Sequence, residues 1–252
     1  MILDLSMLIL AFFSAGAALI MLIHEIHYSN AAQCRNDWVK YAVFLAIVIG
    51  VILLASLGKA GLGGILAVLV VVAGREIYRA IRPASGRRFV ATGLLAAVVA
   101  AGLGHLLLFE SRQCFASFTF VFLIVAVTDS YAQLTGRLIG KRRLCPRISP
   151  NKTVAGFFGG LTAALVAAMA FGFLQPGLGI IPIILLGSIT SLAAVMGDLA
   201  FSTVKRRFGI KDFSGVIPGH GGVLDRFDSL ILAAPVFYWA RYTIELLRGG
   251  WS

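Results

Sequence analysis

The chain has 252 residues, of which 59% are hydrophobic and 13% are charged, and its formal net charge at pH 7 is +11. A soluble domain carries about a quarter charged residues, so the composition excludes an ordinary soluble protein and favours membrane insertion. The positive charge does not indicate a nucleic-acid partner, because the basic residues lie between apolar blocks. Cys34, Cys114 and Cys145 are too scattered to define a disulfide framework or a zinc site.

The apolar blocks predict eight transmembrane helices, since a spanning helix needs about 20 residues. The first block lacks a basic leader and a cleavage site, so we interpret it as a retained helix and not as a signal peptide. The third block is short and either extends to Tyr78 or forms a tilted or re-entrant element. The predicted fold class is therefore an all-α, polytopic membrane protein. The blocks are Leu5–Ile23, Tyr41–Leu57, Leu62–Ala73, Phe89–Leu108, Phe115–Leu134, Ala155–Leu174, Leu178–Phe201 and Ser229–Leu247.

Basic residues are concentrated in alternate loops, which contain 18 of the 22 Lys and Arg residues. The links between these loops, near Lys59, Glu110 and Gln175, contain few basic residues. Positive residues favour the cytoplasmic side, so we expect the basic loops to face the cytoplasm and both termini to lie outside. These loops are 24–40, 75–88, 135–154 and 202–228.

The two halves of the chain differ in whether they contain polar segments that indicate a function. Residues 1–110 contain little besides apolar helices and basic loops, and we interpret them as scaffold, lipid-facing surface or oligomer contact, which leaves a homodimer open. Residues 111–252 contain the polar segments that indicate chemistry. Within them, residues 197–228 place many charges of both signs between two strongly apolar helices.

Carboxylates in this segment are unusual for a connecting loop. Asp198 lies inside the seventh apolar block, where acidic residues are costly and usually functional. Asp225 and Asp228 are three residues apart and would share one face of a helix. Taken alone, these two residues fit a simple helix start, and Lys205 and the arginines after it fit a positive-inside anchor. Together they favour a site where carboxylates hold Mg²⁺ and cations hold phosphates.

The spacing of this segment is specific. It reads Ser202-x-x-Lys205-Arg206-x4-Lys211-Asp212-x-Ser214-x-x-Ile217-Pro218-x-His220-Gly221-Gly222-x-x-Asp225-Arg226-x-Asp228. This unbroken run of 27 positions resembles the signature of the phosphatidate cytidylyltransferase family. The resemblance covers roughly residues 120–247.

A second segment is similar to the other cytoplasmic motif of that family. It departs from the family pattern at Gln133, where a tyrosine is common, and at Ala155, where a glutamate is usual. The missing carboxylate at Ala155 weakens the transfer of the family's role to the nearby Lys152. The segment reads Asp129-x-x-Ala132-x-x-x-Gly136-Arg137-x-x-Gly140-Lys141, followed by Ser149-Pro150-x-Lys152-Thr153-x-x-Gly156.

The resemblance implies cytidylyl transfer from CTP to phosphatidate at the cytoplasmic face of a membrane, with Mg²⁺ as cofactor and pyrophosphate as the second product. We expect a bacterial plasma membrane, because the chain lacks a eukaryotic-looking extension. Asp198 and Asp225 are then the expected metal ligands. The expected catalytic residues are Lys205, Arg206, Lys211, Asp212, His220, Arg226 and Asp228. The expected substrate-binding residues are Asp129, Arg137, Lys141, Ser149, Lys152 and Ser202.

Other functions stay open. A CTP-dependent enzyme could act on another membrane lipid, such as a polyprenyl phosphate, an archaeal-type ether lipid or a polyprenol. A transporter or a non-catalytic membrane partner also fits many apolar helices with intramembrane aspartates. Against a transporter, the sequence has no internal repeat, and its polar residues cluster on one side.

Overall fold

The computed structural model describes residues 2–27, 31–81, 95–102, 104, 105, 108, 114–216 and 221–249. These residues are mostly helical. The helices are α1 (Ile2–His27), α2 (Ala31–Ala55), α3 (Gly58–Ile81), α4 (95–102), α5 (Cys114–Ile139), α6 (Val154–Ala170), α7 (Ile180–Arg207) and α8 (Leu224–Leu247). A hairpin of β1 (Arg143–Cys145) and β2 (Ser149–Thr153) precedes α6, and a 3₁₀ turn (Gly172–Leu174) follows it.

The predicted all-α membrane fold is confirmed. Within the described residues, six helices are long and apolar enough to cross a membrane, namely α1, α2, α3, α5, α7 and α8, and α6 is a shorter apolar helix. α4 lies within the predicted block 89–108, and other residues of that block lie outside the described residues. The antiparallel hairpin, which pairs Cys145 with Ser149, is an addition to the prediction.

Several helices are longer than their apolar blocks. α2 begins at Ala31 and not at Tyr41, α3 reaches Ile81, and α7 continues to Arg207. Asp198 is therefore nine residues from the end of α7, about 14 Å along the helix axis. Polar residues continue each helix past the apolar block because a helix needs no apolar side chains at its ends.

Small residues bring α5 and α6 together. Gly156, Gly160, Ala164 and Ala168 recur at intervals of four and are buried on one face of α6. A Cβ atom at Gly160 would lie 2.7 Å from the carbonyl oxygen of Thr128 in α5. This spacing of small residues is typical of close helix packing in membranes, where backbones approach each other directly.

A similar contact joins α7 and α8. A Cβ atom at Gly197 would lie 3.1 Å from the carbonyl oxygen of Asp228 and from Cβ of Leu232. Because Asp198 follows Gly197 directly, this close approach brings the aspartates of α7 and α8 to the same level. α5 is the central helix and packs against α1, α2, α3, α6, α7 and α8.

Candidate active site

A cavity of about 330 Å³ lies among α2, α5, the hairpin, α6, α7 and α8. Apolar side chains such as Phe122, Phe157 and Leu230 form part of its wall. Its charged lining combines five carboxylates with three cations, which come from separate segments of the chain. These residues are Asp129, Lys152, Asp198, Lys205, Asp212, Asp225, Arg226 and Asp228.

Lys205 is the best-buried cation of the cavity, with 7% of its surface exposed. Its Nζ lies 2.8 Å from Oδ1 of Asp225 and 3.4 Å from Oδ2 of Asp228. A buried lysine is costly unless it is paired, and these two carboxylates provide the pairing. Lys205 therefore connects α7 to the first turns of α8.

Asp225 is held by the loop before α8. Its Oδ2 accepts hydrogen bonds from the backbone N–H groups of Phe213 and Gly222, each at 2.9 Å, while Oδ1 faces Lys205. Gly221 has a φ of +81°, a conformation that favours glycine, and it lets the chain fold over the carboxylate. Both carboxylate oxygens of Asp225 thus accept hydrogen bonds from protein donors.

Lys152 and Asp198 form a second ion pair, with Nζ 2.5 Å from Oδ2. Thr153 caps α6 by accepting a hydrogen bond from the N–H of Gly156 at 3.0 Å, which fixes Lys152 at the junction of β2 and α6. Ser202, one turn after Asp198, donates a hydrogen bond to its Oδ1 at 3.3 Å. About a quarter of the side chains of Lys152 and Asp198 is exposed, so this pair is open to a ligand in the cavity.

Three carboxylates of the cavity repel one another. Asp198 acts electrostatically on both Asp129 and Asp228, and Asp129 acts on Asp228. Lys152, Lys205 and Arg226 partly offset this repulsion. Carboxylate oxygens are the ligands that Mg²⁺ prefers, so the donor set of Asp129 and Asp198 fits a divalent cation.

The described side chains do not form a ready-made metal site. No group of three Asp, Glu, His or Cys side chains in the described ranges is arranged closely enough to hold a metal ion. Lys152 pairs with Asp198 instead, and Lys205 pairs with Asp225 and Asp228.

Other residues singled out in the sequence lie elsewhere. Arg206 donates hydrogen bonds to the carbonyl oxygens of Ile148, in the hairpin, and of Ile210. Lys141 and Lys211 are exposed, and among the described residues neither they nor Ser149 line the cavity. His220 lies outside the described residues.

Arg137 lines a neighbouring cavity and not this one. Its guanidinium is 2.5 Å from Oδ2 of Asp37 in α2, and His24 of α1 is 3.1 Å from the same oxygen. These contacts tie three helices together. The sequence-based role of Arg137 in substrate binding stays a prediction.

Glu76 was missed at the level of sequence, because 75–88 was interpreted as a loop. It lies inside α3 and is 3% exposed. Oε1 accepts hydrogen bonds from Oγ of Ser214 at 2.6 Å and from the N–H of Val223 at 2.9 Å, and Oε2 accepts one from Leu224 at 2.8 Å. It therefore caps the start of α8. The sequence feature that could have identified Glu76 is an acidic residue directly after an apolar helix block.

The fold and the cavity define a class: a polytopic α-helical membrane protein with a cavity lined by aspartates, lysines and an arginine. A model described as "Cytidylyltransferase family" matches residues 1–244. The chain belongs to this family.

Curated relatives include phosphatidate cytidylyltransferases of staphylococci. The chain is 40% identical over 144 residues to those of Staphylococcus epidermidis (strain ATCC 12228 / FDA PCI 1200) and Staphylococcus aureus (strain COL), with 56% of this chain and 55% of each relative aligned. It is 41% identical over 145 residues to that of Staphylococcus haemolyticus, with the same coverage. The chain thus spans about half the length of the curated relatives it matches.

Proposed function

We propose that this protein transfers the cytidylyl group of CTP to the phosphate of phosphatidate, giving CDP-diacylglycerol and pyrophosphate. The observation that carries the proposal is the cavity in which Asp129, Asp198, Asp225 and Asp228 meet Lys152, Lys205 and Arg226. Membership of the cytidylyltransferase family and the names of the staphylococcal relatives support the same activity.

The reaction has to bring two anions into contact. An oxygen of the lipid phosphate attacks the α-phosphorus of CTP, a new P–O bond forms, and the bond to the β-phosphate oxygen breaks to release pyrophosphate. No covalent enzyme intermediate is needed, so positioning and charge neutralisation supply the catalysis. Lys152 and Arg226 face the cavity and would hold phosphate oxygens. Lys205 is fixed by Asp225 and Asp228 and would direct its positive charge toward the reacting phosphates.

We propose Mg²⁺ as the cofactor, held by Asp198 and Asp129. When bound, it would neutralise developing negative charge on the phosphates. The sequence also suggested Asp225 as a ligand, and this stays a prediction. The contacts of Asp225 with Phe213, Gly222 and Lys205 favour a structural role, because an additional metal would have to displace one of these donors.

We also propose that the cavity faces the cytoplasm, in a bacterial plasma membrane. The concentration of basic residues in alternate loops supports this orientation. CTP is available on that side, and the lipid headgroup reaches the same surface from the bilayer.

The substrate is tested with purified protein, radiolabelled CTP, Mg²⁺ and a panel of lipids in detergent. Phosphatidate is expected to give a labelled lipid and stoichiometric pyrophosphate. A polyprenyl phosphate, an ether-linked phosphatidate analogue and a polyprenol serve as the competing substrates. A labelled product from one of these, with none from phosphatidate, would contradict the proposal, and so would CTP binding without pyrophosphate release from any lipid.

A further inference from the structure

A second cavity, of about 150 Å³, lies between α1, α2 and α5. One part of its wall is apolar and largely aromatic, and the other part is charged. The apolar part includes Phe12, Phe13, Val48, Leu123 and Val127, and the charged part includes Asp37, Lys40 and Arg137.

This second cavity adjoins the active-site cavity. Phe44, Ala126, Asp129, Gln133 and Arg226 line both. A molecule whose polar group lies at Arg226 can therefore reach the site of reaction with one end and the aromatic wall with the other.

The lining changes character along α5. Leu123 and Val127 lie deep in the helix, Asp129 follows, and Arg137 lies near its end. From Leu123 to Arg137 the helix rises about 21 Å, at about 1.5 Å per residue. The apolar part is thus at bilayer depth and the charged part near the surface, which is the polarity gradient of a phospholipid in one leaflet.

Polar contacts hold the three walls in place. The Tyr41 hydroxyl donates a hydrogen bond to the carbonyl oxygen of Phe13 at 2.5 Å, and the Tyr131 hydroxyl donates one to that of Phe12 at 2.8 Å. Asp37 joins α2 to Arg137 of α5. Because α2 and α5 are both tied to α1, the cavity has a defined shape before any ligand enters.

We propose that this second cavity binds the glycerol-proximal part of an acyl chain of the lipid phosphate, with the phosphate at the shared boundary near Arg226. The inference rests on the proposed function in taking a lipid phosphate as the substrate. The whole cavity measures about 150 Å³, a volume that holds a group the size of benzene, so its apolar part accommodates the first carbons of one chain. The remainder of the lipid stays in the bilayer.

Gly16 offers a direct test, because it lines this cavity and not the active-site cavity. A Cβ atom there would lie 3.8 Å from Tyr41 and 3.9 Å from Leu134, which are ordinary contacts. Gly16→Ala therefore adds a methyl group at ordinary contact distances, and the larger side chain of Gly16→Leu is expected to fill part of the cavity. Ala18→Leu is the matched control, since Ala18 is exposed on the outer face of the same helix.

The measurement is equilibrium binding of radiolabelled dioleoyl phosphatidate to the purified full chain in detergent, made alongside pyrophosphate release. Gly16→Leu is expected to weaken lipid binding by about tenfold or more, the size of an overpacking penalty, whereas Ala18→Leu binds like the wild type. The KM for CTP is expected to stay the same in both variants. Gly16→Ala is expected to give a smaller loss in the same direction, and it serves as the test should the leucine variant not fold.

Equal lipid binding by the Gly16 and Ala18 variants would overturn the inference, as would a wild-type protein that does not bind phosphatidate. Failure of the proposed function gives a different result. In that case the wild type binds phosphatidate and the Gly16→Leu variant binds it more weakly, but the wild type releases no pyrophosphate from CTP.

Discussion

At the scale of single residues, a lysine buried inside a membrane protein needs compensating charge, and Lys205 has two carboxylates. The same lysine was expected from its sequence context to hold phosphates. Its geometry adds a structural role, since it joins α7 to α8. The energetic consequences of losing Lys205 and of losing the more exposed Asp198 should therefore differ.

Lys205→Met leaves Asp225 and Asp228 buried without their cation. Removing one partner of a buried ion pair costs about 3–5 kcal/mol, so we expect a lower unfolding temperature together with loss of turnover. Thermal unfolding in detergent measures the first effect. Arg207→Met, at an exposed position near the end of α7, is the control and should unfold like the wild type. An unchanged unfolding temperature for Lys205→Met would show that the buried pairing contributes little.

Asp198→Asn and Asp225→Asn should be separable. Asp198 is partly exposed to the cavity, so its substitution is expected to lower turnover by about 100-fold or more, typical of losing a group that stabilises the transition state, with little change in stability. Asp225→Asn replaces an acceptor of two backbone N–H groups and of Lys205. Charge-assisted hydrogen bonds contribute about 1.5–3 kcal/mol, so this variant should also unfold at a lower temperature. Normal turnover in Asp198→Asn would remove this residue from the mechanism.

At the scale of elements, the start of α8 depends on a helix from the other half of the chain. Glu76 of α3 accepts hydrogen bonds from Ser214, Val223 and Leu224. α8 in turn carries Asp225, Arg226 and Asp228 into the cavity. The N-terminal half therefore positions part of the site, in addition to any role as scaffold.

Glu76→Ala should release the first turn of α8. Loss of a helix cap costs about 1 kcal/mol, and each buried N–H left without an acceptor adds about 1–3 kcal/mol. Faster hydrogen exchange at the amides of Val223 and Leu224, with lower turnover, is the expected result. Glu25→Ala, an exposed carboxylate on α1, should change neither. Wild-type exchange rates in Glu76→Ala would mean that α8 is held by other contacts.

The positions of the helices in the chain could be predicted in part from the sequence. The apolar blocks located all six helices of the described residues that are long and apolar enough to cross a membrane, because hydropathy detects the bilayer interior. They missed the polar end at Ala31–Lys40, where Asp37 lies, because these residues extend a helix without being apolar. The extension of the third helix to Tyr78, which the sequence left as one of two alternatives, is the one that the structure shows, and it contains Glu76. The pairing of charges could not be predicted, since it depends on how closely α7 approaches α8 at Gly197.

The candidate site was predictable to a similar extent. The resemblance to the family's two motifs, with the position of Asp198 inside an apolar block, singled out Asp129, Lys152, Asp198, Lys205 and Asp225, and all five line one cavity. It could not separate them from Lys141 and Lys211, which carry the same charge in the same motifs. That distinction depends on the direction of each side chain, which the hairpin and the loop before α8 determine.

At the scale of the whole molecule, the arrangement of basic loops defines an orientation that can be tested without any enzyme assay. Lys59, in the first turn of α3, and Lys141, before the hairpin, are both exposed, and the charge distribution places them on opposite sides of the membrane. In a chain whose three cysteines are replaced by serine, Lys141→Cys should react with a membrane-impermeant maleimide from the cytoplasmic side. Lys59→Cys should react from outside, and reversed labelling would overturn the orientation.

The central claim is that a cavity of opposed aspartates and lysines lets CTP and a lipid phosphate react at the membrane surface. Its most direct test is pyrophosphate release by the purified wild-type protein with CTP, Mg²⁺ and phosphatidate, measured beside Asp198→Asn in the same detergent. We predict release that requires all three additions in the wild type and falls to near background in the variant. Equal release by both proteins, or none from a folded wild type, would contradict the account.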